Sequence, residues 1–228
     1  MSSPIASQKK TVFDSTLIKI HQKYSHSNRV QLIAKNIFEI ILNNIDTKAP
    51  LKCVDIGCGD MTLAETLNQY LTNSDWKCLD IYELPENLRN DKKWNKYVKF
   101  NGRDIPFEND TFDIAIFSDV LHHIQDEMIY ILKEAARVSK YIIIKDHFKY
   151  GFLSNLTLKA MDYIGNRGYG VKRPAKYFTR ESYMDLISNL NLKEKYLKEN
   201  IHLYDKNFLF KLLSNPKWQF ISLCEKNF

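Results

Sequence analysis

Between Pro50 and Asp146 the chain alternates short apolar runs with amphipathic helical stretches, and no other feature of the sequence limits its fold as much. Leu51 to Ile56, Trp76 to Ile81, Tyr97 to Phe100, Phe112 to Phe117 and Tyr141 to Lys145 read as strands, and Leu63 to Leu71 and Glu127 to Val138 as helices. Strands joined through helices return to the same end of a sheet and so run parallel, and a parallel sheet must be covered on both faces. Two later extended runs, Leu192 to Lys198 and Trp218 to Cys224, complete a seven-stranded sheet as a hairpin-like pair. The expected class is α/β: doubly wound, mostly parallel, with helices on both faces. Ligands of such sheets bind where strands turn into helices at the carboxyl edge.

The flanks read differently. Leu17 to Ile45 is helical, most clearly where Val30, Ile33, Ile37, Phe38, Ile41, Leu42 and Ile45 recur three or four apart, and Pro50 closes it. Residues 151–177 hold a helical pattern, a glycine-rich turn and Pro174, and a helix from Arg180 to Leu190 capped by Thr179 follows.

At 228 residues the chain fits one elaborated domain, and 44% hydrophobic with 26% charged residues supplies a sizeable core. That balance excludes a disordered, collagenous or coiled-coil chain. The longest apolar runs, such as Tyr141 to Ile144, fall far below the roughly 20 residues of a membrane span, and residues 1–20 lack a secretory apolar core. Cys53, Cys58, Cys78 and Cys224 form no CxxC pair and read as reduced, buried thiols. A cytoplasmic protein with no membrane partner is expected. The net charge of +6 lies in the last third: residues 1–150 hold 20 Lys and Arg against 20 Asp and Glu, residues 151–228 hold 13 against 7. A Lys-rich solvated surface accounts for this without a nucleic-acid partner.

Glycine is scarce, seven in 228, so its positions carry meaning. Val54-Asp55-Ile56-Gly57-Cys58-Gly59-Asp60 leaves a strand and enters a helix. Alternate glycines there permit a tight bend and let a ligand approach bare main chain. A nicotinamide-type GxGxxG needs glycine at Thr62, and a phosphate loop needs Gly-Lys-Ser/Thr; neither is present. The acidic Asp55 suits a ligand bearing a positive amine better than a pyrophosphate.

On these residues the chain resembles the class I S-adenosylmethionine-dependent methyltransferases, particularly the small-molecule group that includes the ubiquinone/menaquinone methyltransferases. Matching segments run in order from Leu51 to about His147. The resemblance implies a Rossmann-like sheet, S-adenosyl-L-methionine as cofactor, and a cofactor loop of Asp55, Gly57, Cys58 and Gly59. Where the family often has a third glycine this chain has Met61, which narrows the methionine end of the pocket. The resemblance gives Asp80 the ribose hydroxyls and lays Ile81 against adenine. It gives the adenine edge to the segment Asn101, Gly102 and Arg103, with Asp104 as competitor to Asn101. Ser118 and Asp119 fall beside the methionyl part, and Arg29 in the N-terminal helix pairs with its carboxylate. His123 faces the substrate, and His147, in Lys145-Asp146-His147, stands at the same edge as a possible base. The histidine pair lacks HExxH or Cys/His spacing, so no metal is expected.

Residues 1–45 are then an N-terminal helical lid and residues 46–228 the methyltransferase domain, with residues 151–190 a substrate-facing insertion after the fifth strand. Phe148, Tyr150, Phe152, Met161, Tyr163, Tyr169 and Tyr177, with Arg167, Lys172, Arg173 and Lys176, suit an aromatic or apolar small-molecule acceptor carrying an anionic group. Packing of these aromatics onto the sheet is the competing reading. In-line methyl transfer to O, N or C needs proximity first, and a base only for a protonated nucleophile. Two other classes stay open: an RNA-modifying methyltransferase using the basic last third, and a cofactor-binding protein without catalysis.

Overall fold

The computed structural model describes residues 27–83, 92–124, 126–166, 177–204 and 214–227. Tyr24, His26, Arg167, Tyr169, Lys172, Arg173 and Lys176 lie outside the described residues. In chain order the elements are α1 (Ser27–Asn44), β1 (Leu51–Ile56), α2 (Thr62–Tyr70), β2 (Ser74–Asp80), β3 (Tyr97–Lys99), β4 (Phe112–Ser118), α3 (Met128–Val138), β5 (Ser139–His147), α4 (Gly151–Asn166), α5 (Arg180–Asn189), β6 (Leu192–Glu199) and β7 (Gln219–Lys226). Short 3₁₀ turns precede β3 and β7 and follow β4.

The strands form one seven-stranded sheet, ordered β3-β2-β1-β4-β5-β7-β6. The first five are parallel, and β7 runs antiparallel to both its neighbours. Strand order therefore reverses between β1 and β4, leaving a crevice above their carboxyl ends, as the alternation of apolar runs predicts.

Side-chain alternation divides the core into two layers. Cys53, Ile114, Ile116, Tyr141 and Ile143 face α1 and α2; Val54, Ile56, Ala115, Phe117, Ile142 and Ile144 face α3 and α5. Helix α1 buries Ile33, Ile37, Ile40 and Ile41, a spacing that puts one apolar stripe on the sheet. Its first turn carries Arg29, which pairs with Asp119 in the loop after β4.

Strand β5 runs two residues past its expected end at Lys145. Asp146 and His147 pair with Phe220 and Gln219 of β7, so Lys145 and Asp146 are fully buried where a charged strand end would ordinarily be solvated. The aromatics after β5 divide between the two readings. Phe148 stacks on Phe220 at 4.0 Å and packs the core, whereas Tyr150 and Phe152 are exposed.

Helix α5 begins with the expected cap: the Thr179 side chain accepts from the Ser182 N–H at 3.1 Å, and Ser182 Oγ accepts from the Thr179 N–H at 2.9 Å. Thr179→Ala removes half of this capping box. It is expected to cost about 1 kcal/mol, and hence a few degrees of Tm, measured by thermal denaturation.

Candidate active site

The turn after β1 is fixed by main-chain bonds to the end of β2. Leu79 carbonyl oxygen accepts the N–H groups of Gly57 (2.8 Å) and Cys58 (3.1 Å), and Asp80 Oδ2 accepts the Gly59 N–H at 2.8 Å. Gly57 has φ +78°, and a Cβ there would fall 2.5 Å from Val120 Cγ2. Glycine at 57 is thus demanded twice, by the left-handed backbone and by the loop after β4 that crosses it. Gly59 also has positive φ but faces open space.

Asp80 is buried, and its Oδ1 accepts the Ile81 N–H at 2.7 Å. Oδ1 also accepts the Tyr82 N–H at 3.4 Å, so three of the four carboxylate lone pairs are taken: one hydroxyl fits on Oδ2, and a second would replace the long Tyr82 bond. Ile81 is half exposed and abuts Gly102, whose absent Cβ would sit 3.0 Å from Ile81 Cγ2. This makes a flat apolar ledge beside Asp80. Asn101 is turned inward on its own loop: its carbonyl accepts the Arg103 and Asp104 N–H groups, both at 2.8 Å, and its amide donates to Asp104 at 2.7 Å. Both lone pairs of that oxygen are thereby used. Arg103 stacks its guanidinium over Tyr130 at 4.2 Å.

Two loop positions behave otherwise than expected. Met61, at φ 63°, buries its side chain in the layer shared by α1 and α2, so it does not narrow the crevice. Cys58 is buried in the same layer beside Cys78; a thiol-to-thiol hydrogen bond with Cys78, then burial, pushes its pKa up. Below the turn, Asp55 is buried and its Oδ2 has no hydrogen-bond partner among the described residues. Burial, reinforced by Asp80 and Asp60, pushes its pKa up to about 7. A buried acceptor left in this state calls for a donor from a ligand.

Ser118 ends β4, and Asp119 turns the chain at φ 58°. The Asp119 carboxylate is the hub of an ion cluster. It accepts the Arg29 guanidinium of α1 and the Lys145 ammonium of β5, and lies 3.4 Å from His147 Nδ1. Burial opposes its charge, but Arg29 and Lys145 outweigh this and hold its pKa well below the usual carboxylate range. Burial brings Lys145 down to about 8. Arg29 Nε is buried without a hydrogen-bond partner among the described residues.

A second buried pair adjoins the first. His122 Nδ1 and Asp146 Oδ1 are 2.6 Å apart, with side chains 1% and 0% exposed, and the same oxygen accepts the His147 N–H at 2.7 Å. Tyr177 packs against both imidazoles, its ring centroid 5.3 Å from that of His122 and 6.2 Å from that of His147. His123 packs its ring against that of His122, centroids 4.1 Å apart and planes tilted by 46°. His122, Lys145 and Asp146 were not read from sequence as site residues, whereas Tyr177 was named there among the acceptor-side aromatics. The polar Lys-Asp-His run in a strand flanked by apolar β7 was the available signal. Donor atoms of His122, Asp146 and His147 lie within 4.8 Å of one another; Asp146 Oδ1 is bonded to the His122 ring and to the His147 backbone N–H, while His147 Nδ1 has no hydrogen-bond partner among the described residues.

Residues 54–141 match the family described as "Methyltransferase domain". No curated protein sequence matches the chain. Among solved structures it is similar to an S-adenosylmethionine-dependent methyltransferase from Aquifex aeolicus (14% identity, 92% of this chain and 97% of that one, TM-score 0.59). It is similar also to magnesium protoporphyrin IX methyltransferase from Synechocystis with bound SAH (13%, 97% and 90%, TM-score 0.58). A third is 1,6-didemethyltoxoflavin-N1-methyltransferase from Burkholderia thailandensis with bound 1,6-didemethyltoxoflavin and S-adenosylhomocysteine (14%, 100% and 94%, TM-score 0.58).

Gly57→Ala is expected to destabilise the fold by about 2 kcal/mol, combining left-handed strain with the Val120 clash. Val120→Ala in that background should recover part of the loss, measured by urea denaturation as a double-mutant cycle.

Residues 54–141 match a methyltransferase domain, and the chain has the Rossmann-like fold of the solved structures it is similar to.

Proposed function

We propose that the chain is an S-adenosyl-L-methionine-dependent methyltransferase acting on a small-molecule acceptor, with the cofactor lying along the turn from Gly57 to Gly59 and the acceptor facing His147 and Tyr177. Among class I enzymes we favour the group that includes the ubiquinone/menaquinone methyltransferases, on the order and spacing of Asp55, Gly57, Gly59 and Asp80. All four cysteines are buried free thiols, which fits the cytoplasmic setting we propose. No helix among the described residues is long and apolar enough to cross a membrane.

The observation that carries this reading is the pair of unsatisfied buried groups facing opposite charges of one ligand. Asp55 Oδ2 offers an acceptor suited to an ammonium group, and Arg29 Nε offers a donor suited to a carboxylate. An amino-acid zwitterion satisfies both, and the methionyl end of S-adenosylmethionine is one. Asp119 stands beside Gly57, because Val120 packs over that glycine, so Arg29 is held close to the turn. Asp80, with one lone pair open on Oδ2 and another held only by the long Tyr82 bond, suits the ribose hydroxyls, and the ledge of Ile81 and Gly102 suits a planar base. Asn101 reaches an adenine amino group only by giving up its own loop bonds, so Asp104 becomes the stronger candidate there.

When bound, the cofactor supplies a methyl group already activated on sulfur. The chain contributes alignment, exclusion of water and, for a protonated acceptor, a site for the proton. Residues 151–190 border the acceptor side through Tyr177. Neighbours of the same fold that act on a porphyrin and on a toxoflavin precursor support a planar, polar acceptor.

Asp80→Ala should weaken S-adenosylhomocysteine binding by about 10- to 100-fold, the worth of hydrogen bonds to a charged acceptor, with an unchanged circular dichroism spectrum. Unchanged affinity by calorimetry would contradict the ribose assignment.

Asp55 gives a pH signature. Its pKa of about 7 leaves the free group partly protonated at neutral pH, and a ligand cation against Oδ2 favours the carboxylate. Binding should therefore release protons near pH 7 and tighten as pH rises from roughly 6 to roughly 8. Asp55→Asn should flatten that dependence, measured by calorimetry in buffers of differing ionisation enthalpy.

A further inference from the structure

We propose that Asp119 and Asp146 fix the tautomer of His147, holding its proton on Nδ1 and leaving the Nε2 lone pair to take a proton from the acceptor, with His122 holding Asp146 in place. The inference rests on the methyl-transfer reading and deepens it: the acceptor is a hydroxyl or amine that must lose a proton.

Two carboxylate oxygens face one ring nitrogen. Asp119 Oδ1 is 3.4 Å and Asp146 Oδ1 is 3.5 Å from His147 Nδ1. Neither contact closes a hydrogen bond: Nδ1 has no hydrogen-bond partner among the described residues, and the two carboxylates act on it by their charge. Both carboxylates are ionised, because their cationic and hydrogen-bonding partners outweigh burial. An ionised carboxylate only accepts, so a nitrogen facing two of them carries the hydrogen, and the neutral imidazole then has its lone pair on Nε2. The ring is neutral at physiological pH: burial, then the nearby Lys145, brings it down to about 4, against the pull of both aspartates.

The orientation is set by fully buried groups. Asp146 also accepts the His147 backbone N–H at 2.7 Å, so strand and side chain are tied to one oxygen. His122 holds that carboxylate through its ring at 2.6 Å and its backbone N–H at 3.4 Å. Asp119 is held from the other side by Arg29 and Lys145. The groups around His147 are therefore Lys145 and Asp146 from β5, Asp119 and His122 from the β4 loop, Arg29 of α1 through Asp119, and Tyr177 ahead of α5. Of the β5 side chains in this cluster only His147 has any exposure, 12%, against 0% for Lys145 and Asp146.

The step balances without a further reactant. The acceptor atom forms its new bond to the methyl carbon, the carbon–sulfur electron pair stays on sulfur, and the acceptor's proton passes to Nε2. The imidazolium formed lies beside Asp119 and Asp146 and then returns its proton to solvent. His147 is the catalytic residue in this scheme; Asp119, Asp146 and His122 are positioning residues.

The test needs no acceptor. The full chain is labelled with ¹⁵N at its six histidines, His147 is assigned by its loss in His147→Gln, and two-bond ¹H–¹⁵N spectra are recorded at pH 7. The expected signal is a neutral ring protonated at Nδ1, and Asp146→Asn or Asp119→Asn should shift the tautomer population toward Nε2–H. Calorimetry with S-adenosylhomocysteine on Asp146→Asn should stay within about twofold of wild type, since Asp146 lies outside the cofactor loop. A wild-type ring protonated at Nε2 overturns the proposal, as does a tautomer unmoved in both variants. If Asp146→Asn does not fold, the wild-type spectrum and Asp119→Asn still decide. A wild-type chain that shows Nδ1–H but fails to bind S-adenosylhomocysteine supports the tautomer assignment and removes the methyl-transfer reading instead.

Discussion

The joint between the ends of β1 and β2 organises the crevice. Three N–H groups of the turn, those of Gly57, Cys58 and Gly59, are spent on Leu79 and Asp80, so the bend after β1 and the carboxylate after β2 cannot move independently. A nucleoside spanning that joint meets a pre-formed surface and loses little free energy to loop ordering. The requirement extends to a third strand, because the loop after β4 crosses Gly57 so closely that Val120 leaves no room for a Cβ.

The buried charges tell a complementary story. Arg29, Asp119, Lys145, Asp146 and His122 bring at least four ionised groups to the edge of an otherwise apolar sheet, and such sets are seldom retained for stability, since desolvation consumes most of the Coulombic gain. Their arrangement makes sense as positioning. Asp119 links α1, the β4 loop and β5, and so ties the first turn of α1 to the carboxyl ends of β4 and β5.

Much of this was legible in the sequence, for physical reasons that differ by element. The β-strands and α3 declared themselves by period, and α5 by Thr179, because their burial is set locally by one face. The tight turn at Gly57 and Gly59 was legible because glycine is so scarce that each one marks a backbone need. Met61 was misread, since only the direction of a left-handed residue's side chain decides whether it fills a pocket or the core. The roles of Asp146 and His122 were hidden because a charged strand end reads as solvated, and it is the antiparallel β7, far away in sequence, that buries it. Asn101 fits the expected segment, but its short-range bonds to Arg103 and Asp104 arise from a turn that spacing alone does not reveal.

The most direct measurement is a crystal structure of the chain grown with S-adenosylhomocysteine. The expected result is electron density for the nucleoside across the β1–β4 crevice, with both sugar hydroxyls on the Asp80 carboxylate and the amino-acid end between Asp55 and Arg29. Density at another edge of the sheet, or an amino-acid end turned away from those two residues, would contradict it.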